Sequence, residues 1–173
     1  RQMCIRDRPW QASKYPGSYP KHFERELPEI LETEDYIQVF SGWCESGCRV
    51  DIRREARPAI LADVHCLPFA DDSFSGGMAD PPYTKEFAKR LYDQDYPKFY
   101  TWTRELARVV KPGGRLGVMQ NYIVPTLEGC DVEEIIVLLN KTQEYPRIVT
   151  VQRKEGSNGR KKRSGNSRGN LWL

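Results

Sequence analysis

The sequence predicts an α/β fold built on an open, mostly parallel sheet that finishes in a C-terminal antiparallel hairpin. Two observations carry this expectation. Short β-prone runs in the first half each stop at an aspartate, Asp51, Asp63 or Asp80, and the longer helical stretches come only after the last of them. Two more β-prone runs lie late in the chain, joined by a short connection that suits a hairpin at a sheet edge. In open α/β sheets ligands bind beyond the carboxyl ends of the strands. The three aspartates would therefore share one functional edge.

Each element has its own signal. Lys21 to Glu32 sets Phe23, Leu27, Ile30 and Leu31 at helical spacing, with Pro28 calling for a kink or a late start. Tyr36 to Phe40 is a β-prone run that stops at Ser41-Gly42. Cys48-Arg49-Val50 stops at Asp51-Ile52, Ala59 to Ala62 at Asp63-Val64, and Gly76 to Ala79 at Asp80. Thr84 to Tyr92 and Pro97 to Val110 have helical periodicity, the second with Phe99, Trp102, Leu106 and Val109 on one side. Lys111-Pro112-Gly113-Gly114 supplies a cationic end and helix breakers ahead of a strand over Leu116 to Met119. Glu134 to Leu139 and Arg147 to Gln152 are the hairpin strands.

Composition narrows the class. The 173 residues suit one domain, expected over 14–154, with 1–13 a non-native or disordered start and 155–173 a basic flexible tail. No apolar run is long enough to span a bilayer, and five scattered cysteines make a poor disulfide framework. A cytoplasmic protein with reduced thiols is expected. Cys44 and Cys48 are spaced like half a metal site, but no second Cys/His pair follows, so no metal is expected. Net charge is +3, yet 153–168 reads RKEGSNGRKKRSGNSR with a single acid. Such a run is either a solvated tail or a phosphate-contacting one.

The most specific signal is Asp80-Pro81-Pro82-Tyr83 directly after an apolar strand. At average usage a D-P-P-aromatic tetrapeptide arises by chance in roughly one chain in several hundred of this length. An exocyclic amine on a heterocyclic base is a poor nucleophile, because its lone pair is conjugated with the ring. The Asp80 carboxylate and the Pro81 carbonyl form an acceptor pair that can hold the amine N–H bonds. The two prolines fix that carbonyl before substrate arrives, and Tyr83 offers a flat face to a base swung out of its stack.

In this respect the chain resembles the class I S-adenosylmethionine-dependent methyltransferases, and in particular the DNA adenine and cytosine amino-methyltransferases. The resemblance runs from about Tyr15 to about Met119. It implies a Rossmann-like sheet, S-adenosylmethionine as cofactor, and cofactor contacts at Tyr15, Phe40, Ser41, Gly42, Asp51, Ile52, Asp63, Val64 and Asp80. Asp51 would accept hydrogen bonds from ribose hydroxyls, and Ala62-Asp63-Val64 would cradle the adenine ring. Asp80, Pro81, Pro82 and Tyr83 would be catalytic. Trp43 and Tyr15 either cover the cofactor or are ordinary aromatics. His65 and Cys66 are expected as structural neighbours of the pocket, and Arg104 and Arg108 as a solvated helix face.

Two departures from that pattern stand out. Only SGWCESG separates Phe40 from Cys48, where a parallel crossover normally needs a dozen or more residues and a helix. Seven extended residues reach roughly 23 Å, enough to run back along a strand of about 17 Å as a bare loop. The first crossover helix is therefore expected to be missing, with that sheet face uncovered unless Lys21 to Glu32 or a partner covers it. The chain also has little room for a separate target-reading domain.

The expected activity is methyl transfer to an exocyclic amine of a nucleic-acid base, adenine N6 in DNA first. RNA bases, adenine N6 or guanine N2, are an alternative. A non-catalytic nucleic-acid- or protein-binding platform is another, motivated by the short first loop. A protein partner or homo-oligomer could supply specificity, and no membrane is involved. A nicotinamide enzyme fits worst, since no G-x-G-x-x-G follows the first strand.

Overall fold

The computed structural model describes residues 8–9, 19, 22–139 and 146–156. Among the described residues eight strands form one sheet: β1 (Arg8–Pro9), β2 (Tyr36–Val39), β3 (Cys48–Asp51), β4 (Ile60–Leu61), β5 (Phe74–Ala79), β6 (Val110–Gln120), β7 (Cys130–Leu139) and β8 (Arg147–Lys154). Their spatial order is β1-β7-β8-β6-β5-β2-β3-β4. From β6 to β4 every pairing is parallel, while β8 runs antiparallel to both β6 and β7. The predicted hairpin is present, but β8 lies inside the sheet and β7 outside it, bordered in turn by the two-residue β1.

Period-two alternation divides the core between the two faces of the sheet. On one face Ile37, Val39, Ala79, Leu116 and Val118 pack under Trp102, Leu106 and Val109 of α3 (Phe99–Val109). Gly77 makes that packing possible, since a Cβ there would lie 2.9 Å from Leu106 Cδ1 and 3.0 Å from Val110 Cγ2. On the other face Tyr36, Met78, Met119, Val149 and Val151 pack under Tyr19, Phe23, Leu27, Ile30 and Leu31. All of these last residues but Tyr19 come from a 3-10 turn (Phe23–Glu26) running into the short α1 (Leu27–Leu31), with Pro28 in its first turn. Pro28 thus acts as a late helix start, as a residue without an N–H does best.

The missing crossover helix is confirmed, and the structure shows what replaces it. Residues 40–47 return to β3 without a helix. Glu24 of the 3-10 turn fastens this loop: its Oε1 accepts from the backbone N–H of Glu45 and of Ser46 at 2.6 Å each, and from Ser46 Oγ at 2.7 Å. Cys44 enters the core beneath. The face that sequence reasoning left open is therefore covered by this chain itself.

Several boundaries differ from expectation: β5, β7 and β8 run longer than their β-prone stretches, starting at Phe74 and Cys130 and ending at Lys154. Lys111 to Gly114 is not a turn ahead of a strand; β6 begins at Val110, and this stretch is an irregularity in its pairing, where the register jumps from Phe74–Val110 to Gly76–Arg115. The helix over Thr84 to Tyr92 forms as α2 (Lys85–Tyr92), with the Thr84 hydroxyl accepting from Phe87 N–H at 3.1 Å as N-cap.

Candidate active site

A cavity of about 550 Å³ opens beyond the carboxyl ends of β2 to β5. Phe40, Asp51, Ile52, Asp63, Val64, Asp80 and Pro82 all line it, so seven of the residues singled out in the sequence meet at one place. Gln94 to Lys98, the segment leading into α3, forms the facing wall. Ser41, Gly42, Pro81 and Tyr83 do not reach the cavity wall, and Tyr15 lies outside the described residues. Trp43 stays largely exposed and does not line the cavity.

Asp51 is almost fully buried and already engaged. Its Oδ2 accepts from Gly42 N–H at 2.8 Å, and its Oδ1 from Arg53 N–H at 2.8 Å. Phe40 and Gly42 both adopt the left-handed region, φ 54° and 51°. For Phe40 that backbone is uncommon and persists only where its surroundings impose it. They do so here: the Phe40 ring meets Trp102 edge-on at 5.4 Å, Ser41 N–H donates to Val50 C=O, and Asp51 holds Gly42. One carboxylate therefore shapes the turn after β2 and faces the cavity at once.

The far wall is tied down through a histidine. His65 Nδ1 lies 2.6 Å from Asp63 Oδ1, and His65 Nε2 accepts from the Lys98 backbone N–H at 3.0 Å. The Lys98 bond assigns Nε2 as the acceptor, so Nδ1 carries the proton and donates to Asp63. Burial is the largest single influence on the Asp63 carboxyl and raises it, but the hydrogen bonds from the His65 backbone and ring together with the charge of that ring outweigh it and hold the carboxyl below its usual value. His65 is thus a structural neighbour of the cavity, as expected, and joins the strand edge to the 94–98 segment.

Asp80 follows β5 and is partly buried, with its carboxyl set among protein atoms. Burial pushes its carboxyl up to about 6, against the charge of Arg147 and the polar influence of the Tyr83 side chain, both of which favour ionisation. Arg147 opens β8, and its guanidinium lies over the Tyr83 ring, 5.8 Å from the centroid. Because β8 is antiparallel, its first residue arrives at the same edge where the parallel strands end. That inference was available from the predicted hairpin.

Arg108 corrects an expectation. It is not a solvated face: it donates to Glu105, Asp71 and the carbonyls of Leu67 and Phe69, while Glu105 accepts from Leu67 N–H at 2.9 Å. The pair clamps the loop after β4 onto α3. Arg104 is exposed and paired with Glu128. Cys44, Cys48, Cys66 and Cys130 are free thiols. Among the described residues no group of His, Cys, Asp or Glu is placed to hold a metal, and no helix is long and apolar enough to cross a membrane.

The sequence matches no protein-family model and no curated protein. The fold does match solved structures. TrmN from Thermus thermophilus superposes with a TM-score of 0.54 at 18% identity, over 80% of this chain and 50% of that one, so the chain spans about half the length of TrmN. The 1,6-didemethyltoxoflavin-N1-methyltransferase of Burkholderia thailandensis, solved with 1,6-didemethyltoxoflavin and S-adenosylhomocysteine bound, gives 0.51 at 12% identity over 76% of each chain. The [4+2]-cyclase SpnF gives 0.55 at 11% identity over 89% of each. The chain has the Rossmann-like fold of class I methyltransferases, a fold that also carries other chemistry.

Proposed function

We propose that this chain is an S-adenosylmethionine-dependent methyltransferase acting on an exocyclic amino group of a nucleic-acid base, adenine N6 in DNA first. The observation that carries the reading is the placement of Asp80 and Pro82 at the wall of a cavity that also holds Asp51, Asp63 and Val64. The cavity volume falls within the roughly 300–1,000 Å³ range of ligand pockets. Asp51 Oδ2 spends one lone pair on the Gly42 N–H and keeps another for a ribose hydroxyl, while Oδ1 accepts from both the backbone N–H and the guanidinium of Arg53. Ile52, Ala62 and Val64 give a flat ring an apolar seat beside the Asp63 carboxylate. These residues fit the cofactor, and a fold relative holds its demethylated product.

When bound, S-adenosylmethionine supplies a methyl already activated by the sulfonium. The chain has to bind, orient and exclude water. Asp80 accepts an N–H of the attacking amine and holds its lone pair toward the methyl. No strong base is needed, so positioning carries most of the rate. A carboxylate at about 6 is mostly ionised at neutral pH and ready to accept. The basic 153–168 stretch, of which 157–168 lies outside the described residues, adds sequence-independent attraction to phosphates. The proposed domain covers 14–154, with the two-residue β1 ahead of it bordering β7.

Asp80→Ala tests the assignment. It should abolish transfer while leaving cofactor affinity within about twofold, because Asp51, Asp63 and their neighbours are untouched. Transfer near the wild-type rate would refute the role of Asp80. RNA base methylation is the second reading: nothing in the Asp80–Tyr83 geometry distinguishes a base in DNA from the same base in RNA.

A further inference from the structure

We infer that Arg147 is a positioning residue for the reaction, its guanidinium seated on the Tyr83 ring beside the Asp80 carboxylate so that both present one arrangement to the acceptor base. The inference rests on the proposed methyl transfer and names a residue that the signature does not contain.

The placement follows from topology. Gln120 pairs with Ile148 and Met119 with Val149, so Arg147 lies one step beyond the end of the β6 ladder. Side chains on opposite strands that share a face alternate, which puts Arg147 on the Met119 side of the sheet. Its Nη1 lies 4.0 Å from Met119 Sδ. Asp80 is two residues after Met78 and faces the same way, toward the core that contains Met78, Met119, Tyr19 and Cys44. Tyr83 closes this group, with the guanidinium centred 5.8 Å from its ring centroid.

Two consequences follow for the acceptor. One face of the Tyr83 ring is taken by the guanidinium, and the ring stays behind the cavity wall, so Arg147 acts on the acceptor through Tyr83 and Asp80. The groups facing Asp80 are Arg147 from β8, Tyr83 from its own turn, Tyr19 from ahead of the 3-10 turn, and Cys44 from the β2–β3 loop. Tyr19 and Cys44 are both held uncharged by burial. Arg147 is therefore the cation of that set. A guanidinium suits this place better than an ammonium, because it lies flat on a ring and stays charged when partly dried.

The test compares full-length wild type, Arg147→Met and Arg147→Lys. The protonation midpoint of the Asp80 carboxyl is followed by carbon-13 NMR, and methyl transfer to single-stranded DNA is followed against pH. In Arg147→Met the midpoint should rise by about one pH unit, as expected on losing an opposite charge at close range, and the acidic limb of the transfer profile should rise with it. Arg147→Lys keeps the charge and the midpoint but loses the flat cover of Tyr83, so the acceptor KM should rise several-fold with kcat little changed. An unmoved midpoint in folded, active Arg147→Met, or an unchanged acceptor KM in Arg147→Lys, would overturn the role of Arg147 alone. Wild type that transfers no methyl to any nucleic acid would overturn the methyltransferase reading and this inference with it.

Discussion

Replacing Asp80 by asparagine should stabilise the protein and silence it in one step. The Asp80 carboxyl is pushed from 3.8 to about 6, chiefly by burial. At 1.36 kcal/mol per pH unit, that rise corresponds to about 3 kcal/mol that ionisation withdraws from the folded state. The sign follows from proton binding. The folded state holds this proton more tightly than the unfolded chain, so stability falls as pH rises from about 4 through about 6. Asparagine keeps the shape but carries no charge to desolvate. Arg147 loses its attraction to the carboxylate, which offsets part of the gain, leaving a net stabilisation of about 1–3 kcal/mol at pH 7.5. For a domain of this size, that is a rise of about 2–12 °C in Tm. The assay is urea unfolding at pH 4.5, 5.5, 6.5 and 7.5, followed by tryptophan fluorescence, with transfer measured in parallel. The difference between variant and wild type should be about a third of its full size at pH 4.5, where the unfolded carboxyl is already mostly ionised, and reach its full size by pH 7.5. A variant that is destabilised at pH 7.5, or whose advantage does not change with pH, would refute the burial of a costly carboxylate at this position.

Other expectations follow from single bonds. Asp51→Asn has one acceptor oxygen for two N–H donors, those of Gly42 and Arg53; it should lose about 1.5–3 kcal/mol of stability and also weaken cofactor binding, as read by thermal shift and calorimetry. Glu24→Ala should cost about 3 kcal/mol, because Glu45 and Ser46 lose a shared acceptor in the loop that stands in for a helix; hydrogen exchange at those two amides reports it directly. His65→Ala releases the 94–98 wall and should raise the cofactor Kd by up to about tenfold, the worth of one hydrogen bond, with kcat changed little.

The strand-end aspartates were legible in the sequence for a physical reason. Parallel strands end on one edge, so residues closing separate runs must meet, and Asp51, Asp63 and Asp80 do. The bare loop after β2 was legible from chain length alone. What holds it was not, because Glu24 acts across more than twenty positions and looks in sequence like any exposed helix charge. Arg108 failed for a related reason: helical periodicity gives the face of a side chain but not the loop carbonyls waiting there. Arg147 was missed although the hairpin was foreseen, since the direction of β8 decides which of its ends meets the site. The role of Lys111 to Gly114 was misjudged because breakers that end a helix can equally sit in an irregular strand pairing.

The central claim is methyl transfer to a base amine. The direct measurement is transfer of labelled methyl from S-adenosylmethionine to single-stranded DNA, duplex DNA and total RNA, followed by nucleoside analysis. The account predicts label in N6-methyladenine from DNA, absent with Asp80→Ala. Folded wild-type protein that labels no nucleoside in any of the three polymers would contradict it.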